Sequence, residues 1–320
     1  MRNLLIILVA IFVFSCIEEH KNTKLTGTVF GTSYSIIYDF DVNYEIQFDS
    51  LFYIINKSMS TYQVNSDISK LNRNESFEID EHFIKVYDVS KEIFGQTEGA
   101  FDPSIGNVVN AWKFGAEDTI EVVDSLKIDS LMQYVGYDKT YRHNNTIRKS
   151  NPNVYIEFNA IAKGYGVDVI GEFLESQKVN NYLVEIGGEI RVKGINSERQ
   201  TNWKVGVEEP NFEGQQSILK AITLQDEAMA TSGTYRKFKV DENGNRYAHI
   251  INTKTGYPTK TNILSVSVIA EDCMTADAYA TAFMAMGYEK SKELLRKNKK
   301  LKVVLIYLNE DNSINEYRNF

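Results

Sequence analysis

The chain begins with a short apolar segment that constrains everything after it. Residues 4–14 form an unbroken apolar run of 11 residues, which follows Arg2 and ends two positions before Cys16. A transmembrane helix needs about 20 apolar residues, so this run is too short to span a bilayer. It has the size of a signal-peptide core. We therefore predict that the chain is exported through a membrane and that the remainder folds as a globular body.

The residues around Cys16 predict how this body stays at the membrane. A small residue, Ser15, precedes the cysteine, and the sequence turns polar immediately after it. This arrangement resembles the cleavage site of bacterial lipoproteins, where the thiol is acylated and the chain is cut before it. We expect residues 1–15 to be a signal peptide, Cys16 to carry the lipid, and residues 16–25 to be a polar tether. An ordinary signal peptide or an uncleaved anchor is the alternative interpretation.

Composition limits what the body can be. About 305 residues follow the signal peptide, enough for one large domain or two small ones. A hydrophobic content of 43% can supply a sizeable core. The formal net charge of −8, without a run of Lys and Arg, argues against nucleic acid binding. Cys273 is the one cysteine left after Cys16, so the fold cannot depend on an internal disulfide.

The predicted elements indicate an α+β fold with an antiparallel sheet and flanking helices, because strands occur in hairpin-like pairs and do not alternate regularly with helices. Two such strands, residues 182–186 and 189–193, flank Gly187-Gly188. A buried strand is also predicted over residues 154–158. Helical spacing is found over residues 44–56, 82–97, 124–135, 160–176, 275–286 and 290–297.

Common catalytic motifs are absent from the sequence. It contains no G-x-G-x-x-G, P-loop, H-E-x-x-H, C-x-x-C or G-x-S-x-G pattern. Four histidines and one free cysteine argue against a soft-metal site. Any metal is therefore expected to be a hard cation bound by oxygen atoms.

The helix predicted over residues 275–286 carries a candidate cation site. Asp277 and Thr281 are four residues apart and therefore share one helix face. A carboxylate and a hydroxyl at this spacing can bind one Mg²⁺, which fills its other sites with water and phosphate oxygens. The pattern also fits a structural aspartate near a helix start, favoured by the helix dipole, with Thr281 simply buried.

A second candidate site lies where a predicted strand meets a predicted helix. Glu157 ends the strand, Asn159 is placed to cap the helix, and Lys163 falls in the first helical turn. Free backbone groups at such a junction suit phosphate or metal contacts. Lys163 opposes the helix dipole, which a nearby anion would explain, although an exposed first-turn lysine is the alternative.

His249 is the histidine best placed for proton transfer. It is predicted on a strand over residues 247–251, just before a turn at residues 252–258. An imidazole that titrates near neutral pH can serve as the base for a hydroxyl nucleophile. A half-buried structural histidine fits the same position.

Aromatic residues accompany a turn near residue 102. Phe101 precedes Asp102-Pro103, and Tyr62 lies upstream. Aromatic side chains beside such a turn can sandwich a flat ring. A purely structural loop is the alternative.

The order of several segments, more than any one motif, carries a resemblance to a known family. In chain order, these segments are Phe30-Gly31-Thr32-Ser33-Tyr34, Ser60-Thr61-Tyr62, Gly99-Ala100-Phe101-Asp102-Pro103-Ser104-Ile105-Gly106, Ala162-Lys163-Gly164-Tyr165-Gly166-Val167-Asp168, Val184-Glu185-Ile186-Gly187-Gly188-Glu189, Trp203-Lys204-Val205-Gly206-Val207-Glu208, Ala230-Thr231-Ser232-Gly233, His249-Ile250-Ile251, Thr255-Gly256-Tyr257-Pro258, and Ala276-Asp277-Ala278 to Thr281. Together they resemble the FAD:protein FMN transferases, or ApbE-type flavin transferases, over residues 26–308.

The resemblance implies a fold, a reaction and a location. The fold is a single α+β domain related to the T-fold, here over residues 26–320, that binds FAD in a cleft and uses Mg²⁺. The reaction moves the FMN half of FAD onto a Thr or Ser hydroxyl of another protein and leaves AMP. Family acceptors are typically membrane-associated redox subunits, and many members are lipoproteins. The body is accordingly expected on the periplasmic, non-cytoplasmic side of a membrane.

The resemblance also assigns roles to individual positions. Asp277 and Thr281 correspond to metal ligands, and Ala160 contributes a backbone carbonyl. His249 matches the family histidine proposed as the base. The residues implied to line the FAD site are Phe30, Tyr62, Ala100, Phe101, Asp102, Glu157, Lys163 and Ile251.

Two other functions fit the same residues. Water in place of the acceptor hydroxyl would give an Mg²⁺-dependent FAD pyrophosphatase that produces FMN and AMP. A lipoprotein that binds FAD without turnover is the third hypothesis. The presence of Asp277, Thr281 and His249 favours the two enzymes over the binding protein.

Overall fold

The computed structural model describes residues 22–117, 124–210, 217–234, 238–240, 246–311 and 313–320. The predicted signal peptide and Cys16 lie outside these residues. Part of the predicted tether lies inside them, and there the prediction is wrong. Residues 23–25 begin a strand, Thr23–Val29, that pairs along its whole length with Thr32–Tyr38. The folded body therefore includes residues that polarity alone had assigned to a linker.

The described residues form the following helices and strands. The helices are α1 (Glu45–Met59), α2 (Asp67–Asn72), α3 (Glu81–Gln96), α4 (Gly106–Ala111), α5 (Ser125–Met132), α6 (Ala162–Ser176), α7 (Cys273–Met286) and α8 (Tyr288–Lys297), with a 3₁₀ turn at Tyr137–Lys139. The strands are β1 (Thr23–Val29), β2 (Thr32–Tyr38), β3 (Thr140–His143), β4 (Thr146–Lys149), β5 (Tyr182–Ile186), β6 (Glu189–Lys193), β7 (Ile195–Asn196), β8 (Thr201–Glu208), β9 (Ile218–Leu224), β10 (Ala228–Gly233), β11 (Phe238–Val240), β12 (Arg246–Ala248), β13 (Ile263–Ala270), β14 (Lys302–Leu308) and β15 (Ile314–Arg318).

The main sheet has eight strands in the order β1-β2-β5-β6-β10-β13-β14-β15. Every neighbouring pair in it is antiparallel. The order leaves β1 and β15 as the two edges, so the sheet is open and does not close into a barrel. The predicted α+β fold with an antiparallel sheet and flanking helices is confirmed.

Both faces of the main sheet are covered. α6 and α7 pack on one face, mainly against β5, β6, β10 and β13. On the other face, the small sheet β7-β8-β9 contributes Trp203, Val205 and Leu224 to a hydrophobic cluster with the main sheet. The interior strand β13 is buried along its whole length. Among the described residues, no helix has the length and hydropathy needed to cross a bilayer.

The segment that precedes α6 is not a strand, contrary to the prediction for residues 154–158. Tyr155 makes one isolated parallel bridge with Ile105. The next residue, Ile156, pairs instead with a side chain, because the Asn72 amide accepts from its N–H and donates to its carbonyl at 2.8 Å each. The side-chain amide of Asn72 thus makes the backbone hydrogen bonds that a neighbouring strand usually makes with a buried apolar segment. The prediction for His249 also needs correction, because β12 ends at Ala248 and His249 lies at a bend after it.

α6 and α7 approach each other closely at Gly164. A Cβ atom built on Gly164 would lie 2.4 Å from the carbonyl oxygen of Cys273 and 2.9 Å from Cβ of Asp277. A real Cβ atom does not approach other atoms this closely. Only glycine therefore allows α6 and α7 to touch at this position. Cys273 itself is fully buried.

We expect Gly164→Ala to destabilise the protein by about 1–3 kcal/mol, because the new methyl must push α6 away from α7. Gly95→Ala provides a matched control, since Gly95 is an exposed residue of α3 with no atom within 4 Å of an added Cβ. There the higher helix propensity of alanine should stabilise by about 0.5–1 kcal/mol. Denaturant unfolding of both variants measures the difference. Equal and small effects would show that the close helix contact is not rigid.

Candidate active site

A cavity of about 920 Å³ opens beside the helix-covered face of the main sheet. Its walls come from the β1–β2 turn, the β5–β6 turn, the end of β10, the start of α6 and the middle of α7. The structure brings together in this one cavity every residue predicted for the FAD site, the metal site and the base. These residues are Phe30, Tyr62, Ala100, Phe101, Asp102, Glu157, Ala160, Lys163, His249, Ile251, Asp277 and Thr281.

Two tight hairpin turns form one wall of the cavity. Phe30 and Gly31 connect β1 to β2, and both have positive φ angles, 50° and 74°. Gly187 and Gly188 connect β5 to β6 with φ angles of 61° and 95°. Two-residue hairpins favour such angles, which cost a side-chain-bearing residue energy. Phe30 is therefore held in a strained conformation that places its ring in the cavity wall, edge-on to Phe52 at 5.7 Å.

Asp277 is buried at the cavity floor, with 4% of its surface exposed. Its Oδ2 accepts a hydrogen bond of 3.1 Å from the N–H of Gly164. Burial raises the pKa of Asp277, while the Lys163 charge and the Gly164 N–H act in the opposite direction. One helical turn further on, Thr281 Oγ1 lies 3.3 Å from Oγ of Ser232. Asp277 and Thr281 thus share one face of α7, as predicted, and both side chains line the cavity.

The oxygen donors at this floor fit a hard divalent cation. A buried carboxylate, a hydroxyl one turn away and the nearby Ala160 backbone are the donor types that Mg²⁺ accepts. Among the residues that the structure describes, no group of three or more His, Cys, Asp and Glu side chains could hold a metal. Asp277 would therefore supply the negatively charged protein ligand of a cation bound here. Other oxygen atoms would complete its coordination shell.

Lys163 forms an ion pair that the sequence did not predict. Its Nζ lies 2.6 Å from Oε1 of Glu189, which is 2% exposed at the first position of β6. This carboxylate is the anion that the unfavourable position of Lys163 in the first turn of α6 required. Glu189 also lines the cavity, although the sequence analysis includes it in a family segment without assigning it a role. The sequence feature that could have identified Glu189 is its position: a charged residue directly after the Gly187-Gly188 turn, where β6 begins to pack on the helices.

A buried ion network fixes the start of α7. Asp168 on α6 accepts hydrogen bonds from the N–H groups of Cys273 and Met274 at 2.9 and 2.8 Å. Arg191 on β6 pairs with Asp168 at 2.9 Å and with Glu175 at 3.0 Å. Burial raises the pKa of Asp168 to about 6, whereas Arg191 and the two N–H groups favour its charged form. The carboxylate thus satisfies helix-end donors that would otherwise be buried without partners.

The segment around Glu157 is held from several directions. The Glu157 N–H donates to the Pro103 carbonyl at 2.8 Å, and its carboxylate accepts from the side chain of Asn159 at 2.8 Å. Asn159 therefore does not cap α6, as the sequence had suggested, and α6 begins at Ala162 without a side-chain cap. The local bond to Glu157 outcompetes the cap and directs the carboxylate of Glu157 toward the cavity.

The Asp102 turn forms a second rim of the cavity. Asp102 is buried, and its Oδ1 accepts from the N–H and the hydroxyl of Ser104 at 2.8 and 2.6 Å. Burial raises the pKa of Asp102, and the bonds from Ser104 oppose this effect. The neighbouring Phe101 is 3% exposed, whereas Tyr62 is 61% exposed at the opening. The predicted aromatic surfaces thus occur at both the inner wall and the mouth.

His249 and Ile251 reach the cavity from a loop that is fastened to the Asp102 rim. Thr253 Oγ1 donates to the Gly99 carbonyl at 2.5 Å, which joins two segments 154 residues apart. Ile251 is buried and bridges to Pro258 across the turn. The half-buried ring of His249 lies 6.4 Å from that of Phe114. An imidazole is therefore present in the same space as the oxygen donors and aromatic walls.

The fold and the cavity define an α+β protein whose central helix presents oxygen ligands to a deep, partly aromatic cleft. The chain belongs to the ApbE family, whose model matches residues 30–305. The resemblance that the ordered segments indicated is confirmed.

Similarity to individual proteins extends over almost the whole chain. It is 35% identical to the FAD:protein FMN transferase of Vibrio cholerae, over 99% of this chain and 97% of that protein. It is also 35% identical to the FAD:protein FMN transferase of Haemophilus influenzae, over 92% of this chain and 90% of the relative. Among solved structures, the flavin transferase ApbE from Vibrio cholerae superposes with a TM-score of 0.85 at 34% identity, covering 93% of this chain and 97% of that one.

Proposed function

We propose that this protein transfers the FMN part of FAD onto a Ser or Thr hydroxyl of another protein and releases AMP. The convergence of all the predicted site residues in one cavity carries the proposal. A volume of about 920 Å³ lies in the range of sites for large cofactors. Aromatic side chains at Phe30, Phe101 and Tyr62 offer surfaces for a flat ring, and the floor near Asp277 offers oxygen ligands for a cation beside phosphates.

Mg²⁺ would be held by the carboxylate of Asp277, the hydroxyl of Thr281 and the carbonyl of Ala160. When bound, Mg²⁺ would neutralise negative charge on the pyrophosphate of FAD. The protein itself contributes the rigid placement of these oxygens. Asp168 fixes the start of α7, and Gly164 fixes the contact between α6 and α7. Lys163, held at the start of α6 by its ion pair with Glu189, would donate hydrogen bonds to the phosphates of FAD.

The remaining chemistry requires an acceptor hydroxyl in line with the pyrophosphate and a group that takes its proton. Cavity walls that hold FAD in a fixed position would convert an encounter with the acceptor into an oriented reaction. The imidazole of His249 is the base that lines this space. AMP is then the leaving group, and the new phosphoester links FMN to the acceptor.

The proposed location follows from Cys16. A lipid on this residue would hold the body, residues 26–320, on the periplasmic side of a membrane. Membrane-associated redox subunits with hydroxyls on that side would then share a thin layer with the enzyme, which raises their effective concentration. These acceptors are the partners we propose besides FAD.

The direct test incubates the purified lipidated protein with FAD, Mg²⁺ and a candidate acceptor. AMP release together with an acceptor mass gain equal to one FMN is the expected result. Equal AMP release with and without acceptor would show an FAD pyrophosphatase. Tightly bound flavin without AMP in either reaction would show a binding protein and would exclude both enzyme functions.

We expect His249→Ala to lower the rate of transfer by about 10²–10⁴-fold, because general-base catalysis contributes that much. FAD binding should change little, since the histidine acts on the acceptor proton. Transfer rates and an FAD titration of the same preparation measure the two quantities. Full transfer activity in this variant would mean that another group takes the proton.

A further inference from the structure

The outer side of α1 carries three exposed apolar side chains among exposed polar ones. Ile46, Tyr53 and Ile54 lie on this side of the helix with 79%, 65% and 37% of their surface exposed. Phe40 and Val42, just before the helix, are 38% and 43% exposed. We call these five residues the α1 face. The opposite side of the helix is buried in the core. Exposed apolar side chains grouped on one side of a helix mark an interaction surface more often than isolated ones do.

One end of the α1 face lies beside the point where the described chain begins. The hydroxyl of Thr23 donates to the carbonyl of Phe40 at 2.6 Å. The hydroxyl of Tyr38, which is opposite Thr23 in the β1–β2 hairpin, donates to the carbonyl of Val42 at 2.6 Å. Cys16 precedes Thr23 by seven residues. A fully extended chain of that length spans at most about 25 Å, so a lipid on Cys16 would keep this end near the membrane.

The C-terminal end of α1 lies at the cavity. Ile55 and Met59, in the last turns of α1, line the cavity wall, and Tyr62 follows at the mouth. The 15 residues of α1 give a length of about 22 Å. The helix therefore connects the end of the body nearest to Cys16 with the opening of the cavity.

We propose that the α1 face lies in the headgroup layer of the membrane that carries the lipid anchor. The inference rests on the proposed lipidation of Cys16. Tyrosine and aliphatic side chains are favoured at this interface, where they bury apolar surface and keep polar groups in water. Asp41, Glu45 and Asp49 are exposed beside the face, so zwitterionic lipids suit it and anionic lipids would be repelled.

This orientation has a functional consequence. A lipid tether alone lets the body rotate freely above the membrane. Contact along α1 would fix the cavity mouth, marked by Tyr62, at the height of the lipid surface. A hydroxyl that projects a short distance from a membrane-embedded acceptor could then reach the cavity, whereas distant loops could not.

A site-specific fluorescence experiment tests the orientation. Full-length lipidated Ile46→Cys protein is labelled with an environment-sensitive fluorophore and reconstituted into phosphatidylcholine vesicles, with and without a spin-labelled quencher lipid. Labelling is selective because Cys273 is fully buried and Cys16 is acylated in the proposed form. Ile314→Cys is the matched control, because Ile314 is 61% exposed on β15 at the opposite edge of the main sheet. Tyr53→Cys repeats the measurement on α1.

We expect a blue shift and strong quenching by the quencher lipid at positions 46 and 53, and neither effect at position 314. Protein that floats with the vesicles but shows a water-like label at positions 46 and 53 would overturn the orientation while leaving the anchor intact. Protein that does not float would show that the anchor itself is wrong. A label that becomes protected only after an acceptor protein is added would assign the α1 face to the acceptor and would overturn the lipid proposal.

Discussion

Replacement of Asp277 by Asn is expected to abolish most FMN transfer without unfolding the protein. The Oδ2 of Asp277 accepts the Gly164 N–H at 3.1 Å, and an asparagine oxygen can occupy the same place and keep this bond. The variant loses the negative charge that would hold a divalent cation. Because such a cation stabilises the transition state by several kcal/mol, we expect the rate to fall by a factor of about 10² or more.

The measurement compares AMP release and Mg²⁺-dependent thermal stabilisation in the two proteins. Asp272→Asn is the matched control, because Asp272 is the N-cap of the same helix and does not line the cavity. Asparagine is as good an N-cap as aspartate, so this control should retain nearly full activity. Normal transfer by Asp277→Asn would place the metal elsewhere or remove it from the reaction.

The largest expected loss of stability follows from Asp168→Ala. This change leaves the N–H groups of Cys273 and Met274 without their acceptor and leaves the partly buried guanidinium of Arg191 without one of its two carboxylates. Removal of one member of a buried ion pair typically costs about 3–5 kcal/mol. The free energy of unfolding, measured by denaturant titration, should fall by this amount. Transfer activity should fall as well, because the start of α7 positions Asp277.

Two further variants identify the cause of this loss. Asp168→Ala combined with Arg191→Met removes both charges and should recover part of the stability, since the unpaired guanidinium disappears. Glu293→Gln breaks an exposed pair with Lys297 and should change the free energy of unfolding by less than about 0.5 kcal/mol. Equal costs for Asp168→Ala and Glu293→Gln would contradict the view that the buried network fixes α7.

Local patterns in the sequence were sufficient for the fold class, for one hairpin and for six of the eight helices in the described part of the chain. The Gly187-Gly188 pair between two apolar segments identified the β5–β6 hairpin, and helical spacing located α6 and α7 to within a few residues. The predictions of secondary structure are wrong where the backbone bonds to a partner that a local pattern does not reveal. Residues 154–158 have the composition of a strand, but Ile156 pairs with the side chain of Asn72, 84 residues away. The polar residues around Thr23 predict a tether, but Thr23 begins an edge strand.

The candidate site was predictable where a short motif holds the chemistry. Asp277 and Thr281 share a helix face by spacing alone, and the order of the segments connected them with His249 and Phe30. The partner of Lys163 was not predictable in this way, because Glu189 lies 26 positions away on a different element. Long-range pairs of this kind depend on how α6 packs on the sheet, which no local pattern specifies.

The most consequential expectation is that FAD occupies this cavity with its pyrophosphate beside the floor formed by α7. A crystal structure of the protein with FAD and Mg²⁺ tests it most directly. We expect electron density for FAD inside the cavity and a cation within ligand distance of the Asp277 carboxylate and the Thr281 hydroxyl. FAD bound outside the cavity, or a cation bound away from Asp277, would contradict it.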